Sequence, residues 1–108
     1  MPSKIEWSAQ VEGYVRSKAP NPRRELWQEI KGVAIWDGKQ DPPRIRHLED
    51  KLSGYGRLRV NRHRIIFREA FEGGQRVIKC IYAGPRSSVY ESFQEVLLDE
   101  LTSEHPSA

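Results

Sequence analysis

The stretch Arg57-Leu58-Arg59-Val60-Asn61-Arg62-His63-Arg64-Ile65-Ile66-Phe67 decides the fold. Four arginines and a histidine fall within its first eight residues, yet Leu58, Val60, Ile65, Ile66 and Phe67 run through and beyond them. Apolar and basic residues alternating with period two describe a β-strand with one face for a core and one for something anionic. A solvated basic tail would carry no such apolar series. Guanidiniums on neighbouring strands repel one another unless an anion sits among them. A phosphodiester is the anion that best matches the guanidinium fork.

Strands are expected at 57–61, 63–71 and 75–83, with Glu72-Gly73-Gly74 turning the last hairpin and Ser53-Gly54-Tyr55-Gly56 turning into the first strand. Before them, Lys4 to Trp7 reads as a short strand. Ser8 is placed to cap a helix beginning at Ala9, with Val11, Tyr14 and Val15 on one face. A second helix follows, with Asn21 as N-cap and Pro22 at its first position. Leu26, Trp27, Ile30, Val33 and Ala34 form its apolar stripe, and Asp37-Gly38 ends it. Residues 39–44 are a Pro-containing loop, and 45–52 a brief strand and turn. The pattern Ser88-Val89-Tyr90-Glu91 opens a last helix, whose apolar face is Val89, Phe93, Val96, Leu97 and Leu101. The tail from Thr102 is expected to fray. The fold class is therefore α+β. Two N-terminal helices pack on a small twisted antiparallel sheet, a C-terminal helix follows, and the opposite sheet face is open to carry the arginines.

At 108 residues the chain fits one domain, 1–108, with room for one modest core. Its net charge of +3 is mild but unevenly spread. Lys51 to Arg68 holds six basic residues and no acid, whereas Ser87 to Ala108 holds five acids and no Lys or Arg. The expectation is a basic working face and an acidic C-terminal helix. No apolar run is long enough to span a bilayer and no signal-peptide pattern opens the chain, which reads as cytoplasmic with no membrane partner. The single cysteine, Cys80, lies in an apolar run and reads as a buried, inert thiol.

Arg57 and Arg59 point to one side of a strand, and Arg62 and Arg64 share a face of the next. Whether all four converge depends on the geometry of the Asn61-Arg62 turn. Gly84-Pro85 aims Arg86 from the exit of the last strand, either at an anion or at a carboxylate such as Glu91. Tyr90 lies one turn into the last helix, as a half-buried aromatic or as a base. His63 titrates near neutrality and so qualifies as a base, yet it alternates with Ile65 and Phe67, which turns it toward the core. His47, His63 and His105 lack metal-ligand spacing, so no metal or other cofactor is expected. These parts suit metal-free RNA cleavage. The 2′-hydroxyl attacks the adjacent phosphorus, guanidiniums stabilise the phosphorane, and a tyrosine among them has its phenolate favoured.

Leu52-Ser53-Gly54-Tyr55-Gly56-Arg57-Leu58-Arg59-Val60, then His63-Arg64-Ile65-Ile66-Phe67, then Ile78 to Tyr82, Gly84-Pro85-Arg86 and Val89-Tyr90, together resemble the RelE/ParE superfamily of bacterial toxins. The likeness covers residues 45 to 101. It implies the toxin half of a toxin–antitoxin pair, with a cognate antitoxin as partner. RelE-type members are mRNA endoribonucleases that act on the ribosome without metal, whereas ParE-type members inhibit DNA gyrase. An inactive relative that keeps only antitoxin binding is a third form. By motif position, Arg64, Arg86 and Tyr90 take catalytic places, with His63 as the other candidate base. Arg57 and Arg59 fall where RelE-type proteins have basic groove residues, and with Arg62 and Lys51 of the same basic block they are the expected RNA-binding residues. His63 stands where RelE usually has tyrosine, and the Arg86-to-Tyr90 spacing is shorter than in RelE.

Overall fold

A computed structural model describes residues 3–36, 44–48 and 54–94 of the chain. The element order is β1 (Lys4–Trp7), α1 (Ala9–Arg16), α2 (Pro20–Ile35), β2 (Ile45–His47), β3 (Tyr55–Val60), β4 (His63–Glu72) and β5 (Gln75–Pro85). A last helix, α3, is described over residues 89–94. The expected helix end at Asp37-Gly38, the expected loop before Arg44, Lys51, the expected helix positions Val96, Leu97 and Leu101, and the tail from Thr102 lie outside the described residues.

The five strands form one sheet in the order β1-β5-β4-β3-β2. Strands β2 to β5 are an antiparallel meander, as expected. Strand β1 differs: it runs parallel to β5, pairing Lys4 with Val77 and Trp7 with Cys80, so the sheet is mixed. Local alternation marks a strand but carries no record of its direction relative to a distant partner. Strands β1 and β5 are joined through α1, α2 and the other three strands, a connection long enough for a parallel pairing.

Ser8 caps α1 as predicted, accepting a 3.2 Å hydrogen bond from the Val11 N–H. Its hydroxyl also donates to the Ile81 carbonyl at 2.9 Å, and its N–H donates to Cys80 O at 2.9 Å, which ties the start of α1 to β5. Helix α2 starts earlier than its sequence suggested. Ala19 is the N-cap, without a side-chain bond, and Pro20 opens the helix, so Asn21 is not the cap. Both prolines fall in the first turn, where the missing N–H would have no intrahelical acceptor.

Val11 and Val15 of α1 and Leu26, Ile30 and Val33 of α2 pack on Leu58, Val60, Ile65, Phe67, Ile78, Cys80 and Ala83. This is the main core, on one sheet face. Cys80 is 2% exposed, and burial pushes its thiol up to about 12, so it stays protonated and inert. The opposite face is not open along its length. Val89 and Phe93 of α3 pack on Ile66, with Tyr55, Ile81, Tyr82 and Tyr90 around them. The last helix therefore covers part of the face expected to be free.

One irregularity makes this possible. The β4–β5 register pairs Ile66 with Tyr82 but Phe67 with Cys80, leaving Ile81 as an extra residue. Before this bulge, Ile78 and Cys80 face the main core; after it, Ala83 does, and Tyr82 joins the α3 side. Gln10 fixes the shifted strand. Its Nε2 donates to Ala83 O at 2.6 Å, and the Ala83 N–H donates back to its Oε1 at 2.7 Å.

Candidate anion-binding site

Strands β3 and β4 place Arg59 directly across from Arg64, and Arg57 across from Ile66. Leu58 and Val60 face the main core, so Arg57 and Arg59 face the other way, as does Arg64 beside Ile65. Arg64 in turn pairs across the sheet with Gly84, two residues before Arg86. Directly opposed like charges on a sheet are destabilising. The chain nonetheless holds Arg64 only 8% exposed. Burial lowers its pKa below the ordinary arginine value, and the charges of Arg57, Arg59 and Arg86 push the same way, opposed by the phenolic group of Tyr90. Three guanidiniums and one tyrosine thus lie near enough to Arg64 for their charges to act on it.

Two backbone carbonyls hold the central guanidinium in place. Arg64 Nη1 donates to Asn61 O at 2.8 Å and to His63 O at 2.9 Å. Among the described residues, Arg57, Arg59, Arg64 and Arg86 form no ion pair with a carboxylate, Glu91 included. Arg57 Nε is buried and without a hydrogen-bond partner. A cluster with no carboxylate partner among the described residues favours a nearby anion, and a phosphodiester would offer the acceptor oxygens it lacks.

An open pocket of about 420 Å³ lies at the β3–β4 end of this cluster, lined by Arg59, Arg64, Arg86, Val60, Asn61, Arg44, Glu25 and Glu29. Its two carboxylates are engaged. Glu29 receives both of its bonds from Arg44 Nη1, at 2.6 and 2.5 Å, and Glu25 Oε1 accepts from Asn61 Nδ2 at 2.9 Å. The acidic wall is therefore partly neutralised, while the guanidinium wall is not.

The expected site residues separate into groups. Arg57, Arg59, Arg64, Arg86 and Tyr90 are together. Arg62 is exposed in the two-residue turn between β3 and β4, not on a strand face beside Arg64; its carbonyl accepts the Arg86 N–H at 2.9 Å. His63 lies on the other side of the sheet from the arginines. A 2.8 Å hydrogen bond joins its Nδ1 to the Tyr14 hydroxyl of α1. Its pKa is lowered, first by burial and then by Lys18, against the opposing pull of Glu25. Tyr90 has two surroundings: it packs against the Ile66–Val89–Phe93 cluster and lies in the field of Arg64. Lys51 lies outside the described residues. Sequence reading missed Glu25, Glu29, Arg44 and Asn61. The i, i+4 spacing of the two glutamates was a weak signal of a shared helix face, but nothing local said what that face would meet.

No protein-family model matches the chain, and no curated protein matches it in sequence. Solved structures do match its fold. The YoeB/ParE toxin from Agrobacterium tumefaciens is 14% identical, with a TM-score of 0.61 over 76% of this chain and 97% of that one. The archaeal RelE–RelB complex from Pyrococcus horikoshii is similar at 20% identity and a TM-score of 0.59, over 80% and 97% of the two chains. The free E. coli toxin RelE, as a double arginine-to-alanine mutant, is 16% identical with a TM-score of 0.58, over 84% and 93%. Helices laid on a five-stranded mixed sheet, with an arginine cluster centred on the buried Arg64 on the far face, thus give this chain a fold similar to that of these RelE and YoeB/ParE toxins.

Proposed function

We propose that the chain is the toxin of a toxin–antitoxin pair and that it cleaves mRNA on the ribosome at its arginine cluster. The observation that carries this reading is the convergence of Arg57, Arg59, Arg64 and Arg86 on one face with no carboxylate partner among the described residues. A fold shared with RelE toxins and a RelE–RelB complex supports the same reading.

The chemistry needs no metal ion. The scissile phosphate binds among the guanidiniums, and the adjacent ribose 2′-oxygen attacks phosphorus in line. The P–O5′ bond breaks and the departing 5′-oxygen takes a proton from solvent water, to which the base later returns the 2′-proton, leaving a 2′,3′-cyclic phosphate and a 5′-hydroxyl. Charge grows on the non-bridging oxygens as the phosphorane forms. Fixed guanidiniums meet that charge without reorganising, which is where a preorganised site gains most. Of the two candidate bases, only Tyr90 shares the arginine face, so Tyr90 takes the 2′-hydroxyl proton in this reading. His63, bonded to Tyr14 behind the sheet, supports the strand that carries Arg64.

The cognate antitoxin would bring an acidic or amphipathic segment that covers the arginines or displaces α3. The packing of Tyr90 against Phe93 and Val89 favours a second reading, a ParE-like inhibitor that binds DNA gyrase and cuts nothing. A reporter-mRNA cleavage assay with ribosomes, run beside a gyrase supercoiling assay, separates the two. Ribosome-dependent cleavage that Arg64→Ala removes is the expected result. Inhibited supercoiling with intact mRNA would refute the nuclease.

A further inference from the structure

We propose that Glu25 and Asn61 are positioning residues for the arginine cluster, setting Arg64 and Arg86 through the β3–β4 turn. The inference rests on that cluster being the working site.

The turn has two residues, Asn61 and Arg62, between the paired Val60 and His63. Asn61 has φ 54, the one positive φ at a non-glycine residue among those described. Asparagine tolerates this left-handed conformation better than most residues do. The conformation helps set the direction of the peptide plane that follows, which carries the Asn61 carbonyl, and through the turn that of the next, which carries the Arg62 carbonyl; both carbonyls serve the site. The Asn61 carbonyl accepts from Arg64 Nη1 at 2.8 Å. The next carbonyl, of Arg62, accepts the Arg86 backbone N–H at 2.9 Å. One turn therefore sets the side chain of the central arginine and the main chain of the C-terminal one.

A guanidinium among three others is pushed outward by their charge, so Arg64 stays at the centre only while its acceptors stay aimed. Glu25 supplies the outer support. It reaches from α2, on the opposite side of the sheet, and its Oε1 takes the Asn61 amide at 2.9 Å. Glu25 and Asn61 both line the pocket with Arg59, Arg64 and Arg86. Of the titratable groups near this support, Glu29 is paired with Arg44, and His63 is held by Tyr14 and faces Lys18 as well as Glu25. What the turn takes from Glu25 is a hydrogen-bond acceptor, which a glutamine side chain also supplies.

The test compares Glu25→Ala, Glu25→Gln, Asn61→Gly and the Glu25→Ala/Asn61→Gly double variant. Glycine keeps the positive φ and removes only the tether, so the turn itself still forms. Two readouts are taken: the restricted Arg64 Nη signals in ¹H–¹⁵N NMR spectra, and single-turnover cleavage on programmed ribosomes. Expected are loss of those signals and a cleavage rate lowered about tenfold, with ribosome affinity little changed, in Glu25→Ala and Asn61→Gly. The double variant should be no worse than either single one, because both remove one interaction. Glu25→Gln keeps the acceptor and should behave as wild type. Wild-type signals and rate in Glu25→Ala would overturn the proposal, and so would equal damage in Glu25→Gln. If wild type itself cleaves nothing, the nuclease reading fails, and the Arg64 signals alone decide the positioning.

Discussion

Removing Arg57 and Arg59 together tests the anion site with a quantity that is set in advance. Each guanidinium that neutralises a phosphate of single-stranded RNA releases counterions, and log K falls with log salt by about 0.7 per contact. Four arginines, Arg57, Arg59, Arg64 and Arg86, give a slope of about −2.8 if each makes one contact. Between roughly 50 and 200 mM salt the wild-type affinity should then fall about 50-fold. The Arg57→Ala/Arg59→Ala variant keeps two contacts, a slope of about −1.4, and should lose only about sevenfold. The fold should not suffer. Neither arginine has a carboxylate partner among the described residues, and Arg59 faces Arg64 across the sheet, so truncation removes repulsion. The assay is fluorescence anisotropy of a short RNA made uncleavable by a 2′-O-methyl group, titrated at several KCl concentrations, with urea unfolding beside it. Equal slopes in wild type and variant would show that these arginines only solvate the sheet.

Arg86→Ala should abolish growth inhibition while the protein still folds and binds its antitoxin, since the Arg86 side chain is exposed and has no carboxylate partner among the described residues; an unfolded variant would make it a structural residue. Tyr90→Phe should remove single-turnover cleavage with little change in unfolding, whereas His63→Gln should leave most of it; the reverse pattern would place the base behind the sheet. His63 has a lowered folded pKa, so the unfolded chain binds its proton more readily. The stability it contributes is full above its ordinary value near 6.5, shrinks as pH falls below that, and is gone below the folded pKa, so urea midpoints between about pH 7.5 and 5 should drop less in His63→Gln. Gly56→Ala should cost about 1–3 kcal/mol in urea unfolding, because the new methyl would overlap the buried Phe67 ring; an unchanged midpoint would mean the ring moves freely.

Much of this architecture was legible locally. The alternation through Leu58 and Val60, the paired glycines at 73 and 74, the Ser8 cap and the helical stripe of Leu26, Ile30 and Val33 each name an element by its own period or turn chemistry. Gly73 and Gly74 both take positive φ, as a two-residue hairpin demands. The even spacing of Arg57 and Arg59 placed them on one face without further information. These features are written over a few consecutive residues, where backbone geometry alone decides which side chains share a side.

What the sequence could not carry was relation between distant segments. Local periodicity does not encode the parallel pairing of β1 with β5. The register shift at Ile81 lets β5 send Tyr82 to the α3 side and still return Ala83 to the main core, with Gln10 of α1 clamping the junction. The side on which Arg64 and His63 part company, one toward the guanidiniums and one toward Tyr14, is simple strand alternation. Its chemical meaning appears only when α1 and Arg86 are brought up against it. The turn at Asn61 shows the same limit. Its residue type allows a left-handed backbone, but Glu25 on α2 and the carbonyls facing Arg64 and Arg86 give that backbone its use, and only tertiary packing sets them there.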